Sequence, residues 1–212
     1  MPGFFALSTD SHKYKDSFID DLFWQTFYQQ HLGESYAGLA TYGSDSKINI
    51  RTHRGLFRPN FGGDMVGLEG DLGIGYCGDY REPILVDSKS GEFAACFLGN
   101  VINRDDLIEG FKNKGHSFAW GGIDIEILAK IIAQGEGFVA GIQKLNQEIR
   151  GAYSLSVLTP EGIYIICDPS GRWPIVLGEK RGAVAATTDP CGFGNWQLRG
   201  KIRKHMKFLL VQ

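Results

Sequence analysis

Short apolar runs bounded by glycine recur along the chain, and they constrain its fold more than any other feature. Leu72 to Cys77 and Phe93 to Leu98 have the length and composition of inner strands in a sheet buried on one face. Four later runs separated by turn residues also predict strands, at residues 152–158, 163–167, 175–177 and 183–186. The chain must therefore contain a large β component whose buried faces need covering.

Helical spacing of apolar residues appears between these runs. Within residues 17–30 the apolar residues with helical spacing are Ile19, Leu22, Phe23 and Phe27. They predict a helix whose start Ser17 can cap. Two adjacent helices are predicted at residues 104–113 and 123–133. Strands are predicted at residues 36–42 and around residues 48–50, and residues 58–63 as a loop or short helix. The pattern predicts an α+β fold or a layered α/β/β/α sandwich.

Length and charge limit the remaining possibilities. At 212 residues, 43% of them hydrophobic, the chain can form one well-buried core, and we predict a single domain over residues 1–212. The net charge of -2 favours neither nucleic acid nor a membrane as a partner. The basic C-terminal segment, residues 199–212, is expected to be an edge strand or a solvated tail.

The sequence indicates no membrane segment, leader or metal site. No apolar run is long enough to span a bilayer and no leader is recognised, so we expect a cytoplasmic protein. The four cysteines are far apart in sequence, and the five histidines show no spacing typical of metal ligands. Buried free thiols, no metal and no cofactor are therefore the expectation.

Six segments, in order and spacing, carry a resemblance to a known family. Residues 2–6 read Pro-Gly-Phe-Phe-Ala where the family begins Cys-Gly-x-Phe-Gly, and residues 97–103 follow its His-Asn-Gly-Asn-x-x-Asn loop. The other segments are residues 30–38, 73–78, 151–154 and 168–178. The chain resembles the class II glutamine amidotransferase domain, most closely that of amidophosphoribosyltransferase of purine biosynthesis. This resemblance implies the four-layer sandwich of N-terminal-nucleophile hydrolases.

The resemblance also implies a catalytic site, and two of its catalytic groups are replaced here. The family nucleophile is an N-terminal cysteine whose α-amine acts as the base, and Pro2 in its place supplies at most the amine. The family oxyanion hole combines an asparagine side chain with a glycine amide. Leu98 stands at the asparagine position, so only the Gly99 amide remains. Losing one such donor costs roughly a hundred- to thousandfold in rate.

The implied cradle for substrate glutamine is incomplete as well. The family places an arginine, suited to a bidentate pair with the substrate carboxylate, where this chain has Gly78. Arg81 is close in sequence but would differ in depth and facing. Asp124 matches the family aspartate that binds the substrate amine, or else it is a carboxylate favoured by a helix N-terminus. Gly75 and Gly78 remain as substrate-binding positions.

We therefore expect a domain without glutaminase activity, acting as a binding, regulatory or structural subunit. No phosphoribosyl transfer is expected, because too little chain follows Asp189 for a nucleotide-type domain. One alternative is a working glutaminase subunit that supplies ammonia to a partner synthase, with Ser8, Thr9 or Ser11 exposed by cleavage of a leader. A second alternative is amine chemistry of Pro2 on a carbonyl compound after removal of Met1.

Two states of the vestigial pocket remain open from the sequence. Leu98 and its neighbours could form an apolar wall that accepts a small, partly apolar ligand. Tyr76, Phe97 or Trp120 could instead fill the space and leave only a surface for a partner synthase subunit or a second copy of the chain.

Overall fold

The computed structural model describes residues 2–10, 12–14, 16–193, 197–198 and 208–211. In chain order its strands are β1 (Gly3–Thr9), β2 (Tyr36–Tyr42), β3 (Ile48–Arg54), β4 (Leu72–Gly78), β5 (Ile84–Val86), β6 (Phe93–Val101), β7 (Gly151–Thr159), β8 (Gly162–Cys167), β9 (Val176–Lys180), β10 (Ala183–Thr187), β11 (Gln197–Leu198) and β12 (Phe208–Val211). Its helices are α1 (Phe18–Phe27), α2 (Phe57–Phe61), α3 (Arg104–Asn113), α4 (Asp124–Ala133) and α5 (Phe138–Glu148), with 3-10 turns at Gln30–Leu32 and Pro190–Phe193.

The strands form two sheets that pack face to face. The seven-stranded sheet has the order β11-β9-β10-β1-β4-β2-β3, and the five-stranded sheet has the order β12-β8-β7-β6-β5. Every pairing between described strands is antiparallel except that of β12 with β8. Of the basic segment 199–212, residues 208–211 form the edge strand β12, and residues 199–207 and 212 lie outside the described chain.

Three apolar layers hold the sheets and helices together. Between the sheets, Phe4, Ile74 and Tyr76 of the first sheet face Cys96 and Ile165 of the second. One outer layer packs α1 and α2 on the seven-stranded sheet, and the other packs α3, α4 and α5 on the five-stranded sheet. The result is the expected α/β/β/α sandwich, because each sheet covers one face with the other sheet and its second face with helices.

Local sequence explains where α1 begins and how closely it packs. The Ser17 hydroxyl accepts a hydrogen bond from the Asp20 amide at 3.3 Å, which is an N-cap. On the facing strand β4, a Cβ atom at Gly73 would lie 2.7 Å from a methyl group of Leu22, and one at Gly75 would overlap Thr26. The two glycines therefore let α1 lie close to the sheet.

The structure departs from the sequence predictions in three places. Strands β4 and β6 were expected to be buried on one face only. Helices cover the second face of each sheet, so all seven residues of β4 are buried. Helix α5, with buried residues at Phe138, Ile142 and Leu145, was missed. Strands β1 and β5 were also not predicted. None of the helices in the described part of the chain has the length and apolar character needed to cross a membrane.

Candidate functional site

Pro2 lies at the start of the central strand β1. That strand is hydrogen-bonded to β4 on one side and to β10 on the other. The Phe4 amide donates to the Thr188 hydroxyl at 3.1 Å, and the Thr187 hydroxyl donates to the Phe4 carbonyl at 3.1 Å. The backbone just after Pro2 is therefore held firmly, and Pro2 itself is half-buried.

Gly78 lies beside Pro2 at the end of β4. A Cβ atom added at Gly78 would lie 2.7 Å from the Pro2 Cβ and would overlap the hydroxyl group of Tyr76. A real Cβ does not approach other heavy atoms so closely, so a side chain at position 78 would require the Tyr76 ring and Pro2 to move. The tyrosine ring occupies the space from which the family arginine would extend.

Tyr76 is fully buried between the sheets. Its hydroxyl oxygen has no hydrogen-bond partner of normal geometry among the described residues, although the Tyr80 amide lies near enough to offset part of its pKa shift. Burial, and next the charge of Glu82, raise the pKa of the phenol. The phenol is therefore protonated at any physiological pH. Of the three side chains predicted as possible fillers of the pocket, Tyr76 lies beside Gly78, while Phe97 packs under the helices and Trp120 is 43% exposed.

Glu82 is a buried acid close to Tyr76 that the sequence analysis did not identify. It is 1% exposed, and its carboxylate accepts a hydrogen bond from the Phe97 amide at 2.6 Å. Burial raises the pKa of Glu82 well above its ordinary value, the Phe97 amide opposes this shift, and the nearby Asp124 adds to it. Two acids, Glu82 and Asp124, therefore lie in the region where the resemblance implies a cation.

Gly99 and Leu98 occupy the implied oxyanion positions on β6. Gly99 has a φ of +143°, and a Cβ there would overlap the Ala152 carbonyl of the paired strand β7. Leu98 is 4% exposed and shares the inner face of its strand with Cys96. A buried aliphatic side chain donates no hydrogen bond, so the side-chain half of the oxyanion hole has no counterpart here.

Asp124 begins helix α4 and lies near the end of β6. Its carboxylate accepts a hydrogen bond from the Val101 amide at 3.1 Å and lies 3.5 Å from Nε of Arg104. Partial burial raises the pKa of Asp124, while the Val101 amide and Arg104 oppose this shift. The carboxylate thus has a structural task at a helix start, and its role toward a substrate amine stays a prediction.

Glu126 fixes the loop that leads into α4. Its two carboxylate oxygens accept hydrogen bonds from the amides of Ala119, Trp120 and Gly122 at 2.6, 3.1 and 3.1 Å. The side chain is 4% exposed, so these bonds satisfy a carboxylate that is shielded from water. The loop beside Asp124 is held in one conformation as a result.

The structure brings some of the predicted site residues together and separates others. Pro2 and Gly78 are neighbours, and Asp124 contacts β6 two residues after Gly99. Gly75 lies on the face of β4 opposite to that of Tyr76 and Gly78. Its close neighbour is Thr26 of helix α1. Arg81 is exposed and donates to the Thr52 hydroxyl at 2.9 Å, away from Gly78. The substrate-binding roles of Gly75 and Gly78 stay predictions.

The hydroxyl groups near the start of the chain and the four thiols offer no evident replacement nucleophile among the described residues. Ser8 and Thr9 lie at the end of β1, so exposing either as a first residue would remove most of a central strand. Ser11 lies outside the described residues. All four cysteines are free thiols, and Cys191 is exposed, contrary to the expectation of burial. Burial raises the pKa of Cys77 to about 12, and partial burial of the sulfur together with the Asp189 carboxylate raises the pKa of Cys191 to about 12. Burial also raises the pKa values of Cys96 and Cys167, so none of the four is an activated thiolate.

Solved structures with the same architecture define the class of fold. A glutamine phosphoribosylpyrophosphate amidotransferase from Bacillus subtilis superposes with a TM-score of 0.81 at 21% identity, over 93% of this chain and 44% of that one. A glutamine aminotransferase class-II domain protein from Silicibacter pomeroyi superposes with a TM-score of 0.60 at 13% identity, over 93% of this chain and 90% of that one. The fold is therefore the four-layer sandwich of the N-terminal-nucleophile type.

Sequence comparison identifies the family. The glutamine amidotransferase domain family matches residues 76–191, more than half of the chain. The amidophosphoribosyltransferase of Methanothermobacter thermautotrophicus is 24% identical over 198 residues, and that of Synechococcus elongatus is 28% identical over 181 residues. These alignments cover 84% and 77% of this chain but 40% and 36% of the relatives. The protein belongs to the glutamine amidotransferase domain family and spans about two fifths of the length of these curated relatives.

Proposed function

We propose that this protein is a glutamine amidotransferase domain that has lost glutaminase activity and acts as a binding, regulatory or structural subunit. The observation that carries this proposal is the contact of Pro2, Gly78 and Tyr76. A proline stands at the nucleophile position, and the tyrosine hydroxyl occupies the space of the missing arginine side chain.

The electrostatics of the site support the same conclusion. Glutamine presents a carboxylate that needs a positively charged partner in a partly desolvated pocket. The neighbourhood of Gly78 instead holds a buried phenol and the buried acid Glu82, and Asp124 lies close enough to raise the pKa of Glu82 further. Leu98 removes the side-chain donor that would stabilise the tetrahedral intermediate. Substrate binding and transition-state stabilisation are therefore both weakened.

A domain of this length can exist apart from a fused transferase. The chain covers 90% of the Silicibacter pomeroyi class-II domain protein, so a solved protein of similar extent has this fold without further large domains in its chain. The amidophosphoribosyltransferase relatives join such a domain to a larger polypeptide. We propose a partner synthase subunit or a second copy of this chain as the binding partner of the domain.

The proposal is tested by an assay for ammonia released from glutamine, run on the purified protein. Intact-mass spectrometry on the same sample defines the first residue of the mature chain, and the Bacillus subtilis amidotransferase serves as the positive control. We expect no ammonia above the rate in buffer, with Pro2 present in the chain. Turnover of glutamine by a chain that begins at Ser8, Thr9 or Ser11 would overturn the proposal and establish the glutaminase alternative.

The alternative of amine chemistry at Pro2 can be tested on the same purified protein. Borohydride reduction in the presence of pyruvate would trap an iminium on Pro2 as a stable mass increase. We expect no such adduct, because the proposed domain is catalytically silent. An adduct mapped to Pro2 would overturn the proposal of a domain without activity and would support amine chemistry at Pro2.

A further inference from the structure

Three side chains with metal-binding atoms meet outside the group formed by Pro2, Gly78 and Tyr76. His31 lies in the 3-10 turn Gln30–Leu32, while Asp189 and Cys191 lie at the turn Pro190–Phe193. One ligand atom from each residue lies within 4.8 Å of the other two. His31 and Cys191 are exposed and Asp189 is half-buried, so an ion from solvent can reach all three.

The backbone around the cluster already orients its ligand atoms. Nδ1 of His31 lies 2.9 Å from the Tyr28 carbonyl oxygen, which can only accept a hydrogen bond, so Nδ1 carries the proton. Nε2 is thereby left to face Asp189, at 3.5 Å from its carboxylate. The Cys191 amide donates to the other oxygen of Asp189 at 2.8 Å and holds that carboxylate in place. This arrangement of a histidine fixed through its second nitrogen is typical of metal ligands.

Nε2 of His31 and a carboxylate oxygen of Asp189 face one another at 3.5 Å. With the hydrogen on Nδ1, Nε2 can offer its lone pair to a metal ion bound beside that carboxylate. Ligand atoms bound to zinc at about 2.0 to 2.1 Å in a tetrahedron lie roughly 3.4 Å apart, close to the observed separation of nitrogen and oxygen.

We propose that His31, Asp189 and Cys191 form a binding site for a zinc-type divalent cation, with a fourth position open to water or another ligand. Imidazole, carboxylate and thiolate are the three side-chain ligands that zinc takes. The thiol now donates to the Tyr28 carbonyl at 3.2 Å, and its sulfur lies within 4.8 Å of the other two ligand atoms, so the thiol has to turn toward them to complete the tetrahedron. On binding, the S–H bond breaks, the metal–sulfur bond forms, and the proton passes to water.

The site would join two distant parts of the chain next to the vestigial pocket. Gln29 lies two residues before His31, and its side-chain amide donates to the Asp189 carbonyl at 3.3 Å. A Cβ atom added at Gly3, the residue after Pro2, would lie 3.1 Å from the Gln29 Cβ. A bound ion would therefore stabilise the contact between the end of α1 and the segment after β10. The sequence indicated no metal because its ligands come from opposite ends of the chain and form no short motif.

The test is titration of the purified 212-residue protein with cobalt(II) and with zinc. Cobalt reports thiolate ligation through a sulfur-to-cobalt charge-transfer band in the near ultraviolet, and calorimetry gives the zinc affinity and stoichiometry. We expect one ion per chain and the charge-transfer band in the wild type. Cys191→Ser should abolish the band and weaken zinc binding by more than about tenfold. His31→Asn, which keeps a donor for the Tyr28 carbonyl, should weaken zinc binding similarly.

Matched controls separate this site from adventitious binding. Cys167→Ser removes the other thiol that is not fully buried, and His12→Asn removes an exposed histidine outside the cluster, so both should retain wild-type affinity. If Cys191→Ser fails to fold, zinc protection of Cys191 from iodoacetamide in the wild type supplies the answer. Absence of saturable binding, a band that disappears with Cys167, or alkylation of Cys191 at the same rate with and without zinc would overturn the proposal.

Discussion

The hydroxyl group of Tyr76 lies where a side chain at Gly78 would begin. A Cβ atom at Gly78 would overlap that hydroxyl and would also lie 2.7 Å from the Pro2 Cβ. The three residues thus fit one another, and a change at one position has consequences at the other two. The family arginine cannot be restored at position 78 while Tyr76 keeps its present rotamer.

This relationship predicts an energetic coupling between positions 76 and 78. Gly78→Ala should destabilise the protein by about 1 to 3 kcal/mol, because the added methyl group overpacks a buried site. Tyr76→Leu should itself destabilise the protein by creating a cavity, but it should reduce the cost of Gly78→Ala by more than about 0.5 kcal/mol. Urea unfolding of the wild type, both single variants and the double variant measures this coupling.

A glycine without neighbours provides the control for that cycle. Nothing lies within 4 Å of a Cβ built at Gly110 on helix α3, so Gly110→Ala should be neutral or stabilise the protein by about 0.5 to 1 kcal/mol. An equal decrease in the free energy of unfolding on Gly78→Ala in the wild type and in Tyr76→Leu would contradict the coupling. That result would show that the tyrosine does not fill the space beside residue 78.

Glu82 predicts a pH dependence of stability. The folded protein raises the pKa of this acid above its ordinary value of 4.5, so the folded state holds the proton more tightly than the unfolded state. Its contribution to stability is full below pH 4.5 and is lost as the pH rises through the folded-state pKa. The slope in that window approaches about 1.4 kcal/mol per pH unit.

Glu82→Gln isolates this effect from other titrating groups. Glutamine keeps an oxygen to accept the hydrogen bond of the Phe97 amide but does not ionise. The stability of the variant relative to wild type should therefore increase with pH above 4.5 in a series of urea denaturations. A difference between the two proteins that is constant from pH 4 to 8 would mean that Glu82 is ionised freely in the folded state.

Glu126 predicts a local effect on the loop before α4. In Glu126→Gln one carboxylate oxygen becomes an NH₂ group, so at least one of the three backbone amides loses its acceptor, at a cost of about 1 to 3 kcal/mol. Hydrogen exchange should accelerate at Ala119, Trp120 and Gly122. The exposed Glu109→Gln on α3 is the isosteric control and should leave these amides unchanged. Unchanged exchange in the Glu126 variant would contradict the hydrogen bonds described.

Much of the architecture could be predicted from sequence because periodicity records burial. The strand at residues 36–42 and the helix at residues 104–113 were predicted with the bounds observed. Helix α5 was missed because Gly141 interrupts its apolar face, and the structure shows why a glycine is there. A Cβ at Gly141 would overlap the backbone of Ile132 in α4, so the glycine permits the close approach of two helices.

The candidate site was only partly accessible to sequence reasoning. Alignment with the family indicated the replacements at Pro2, Leu98 and Gly78, because those positions lie inside recognisable motifs. It did not indicate that Tyr76 fills the space beside Gly78 or that Glu82 is buried. Those facts depend on which face of a strand a residue occupies and on contacts between the two sheets, which pattern alone does not specify.

Restoring the nucleophile alone tests the central claim most directly. The ammonia assay is run on Pro2→Cys beside the wild type, with mass spectrometry showing that the cysteine is the first residue. We predict that both proteins release no ammonia from glutamine, because Leu98 still lacks the oxyanion donor and Tyr76 still fills the place of the carboxylate clamp. Turnover of glutamine by Pro2→Cys would contradict this account, since it would show that the rest of the site had remained competent.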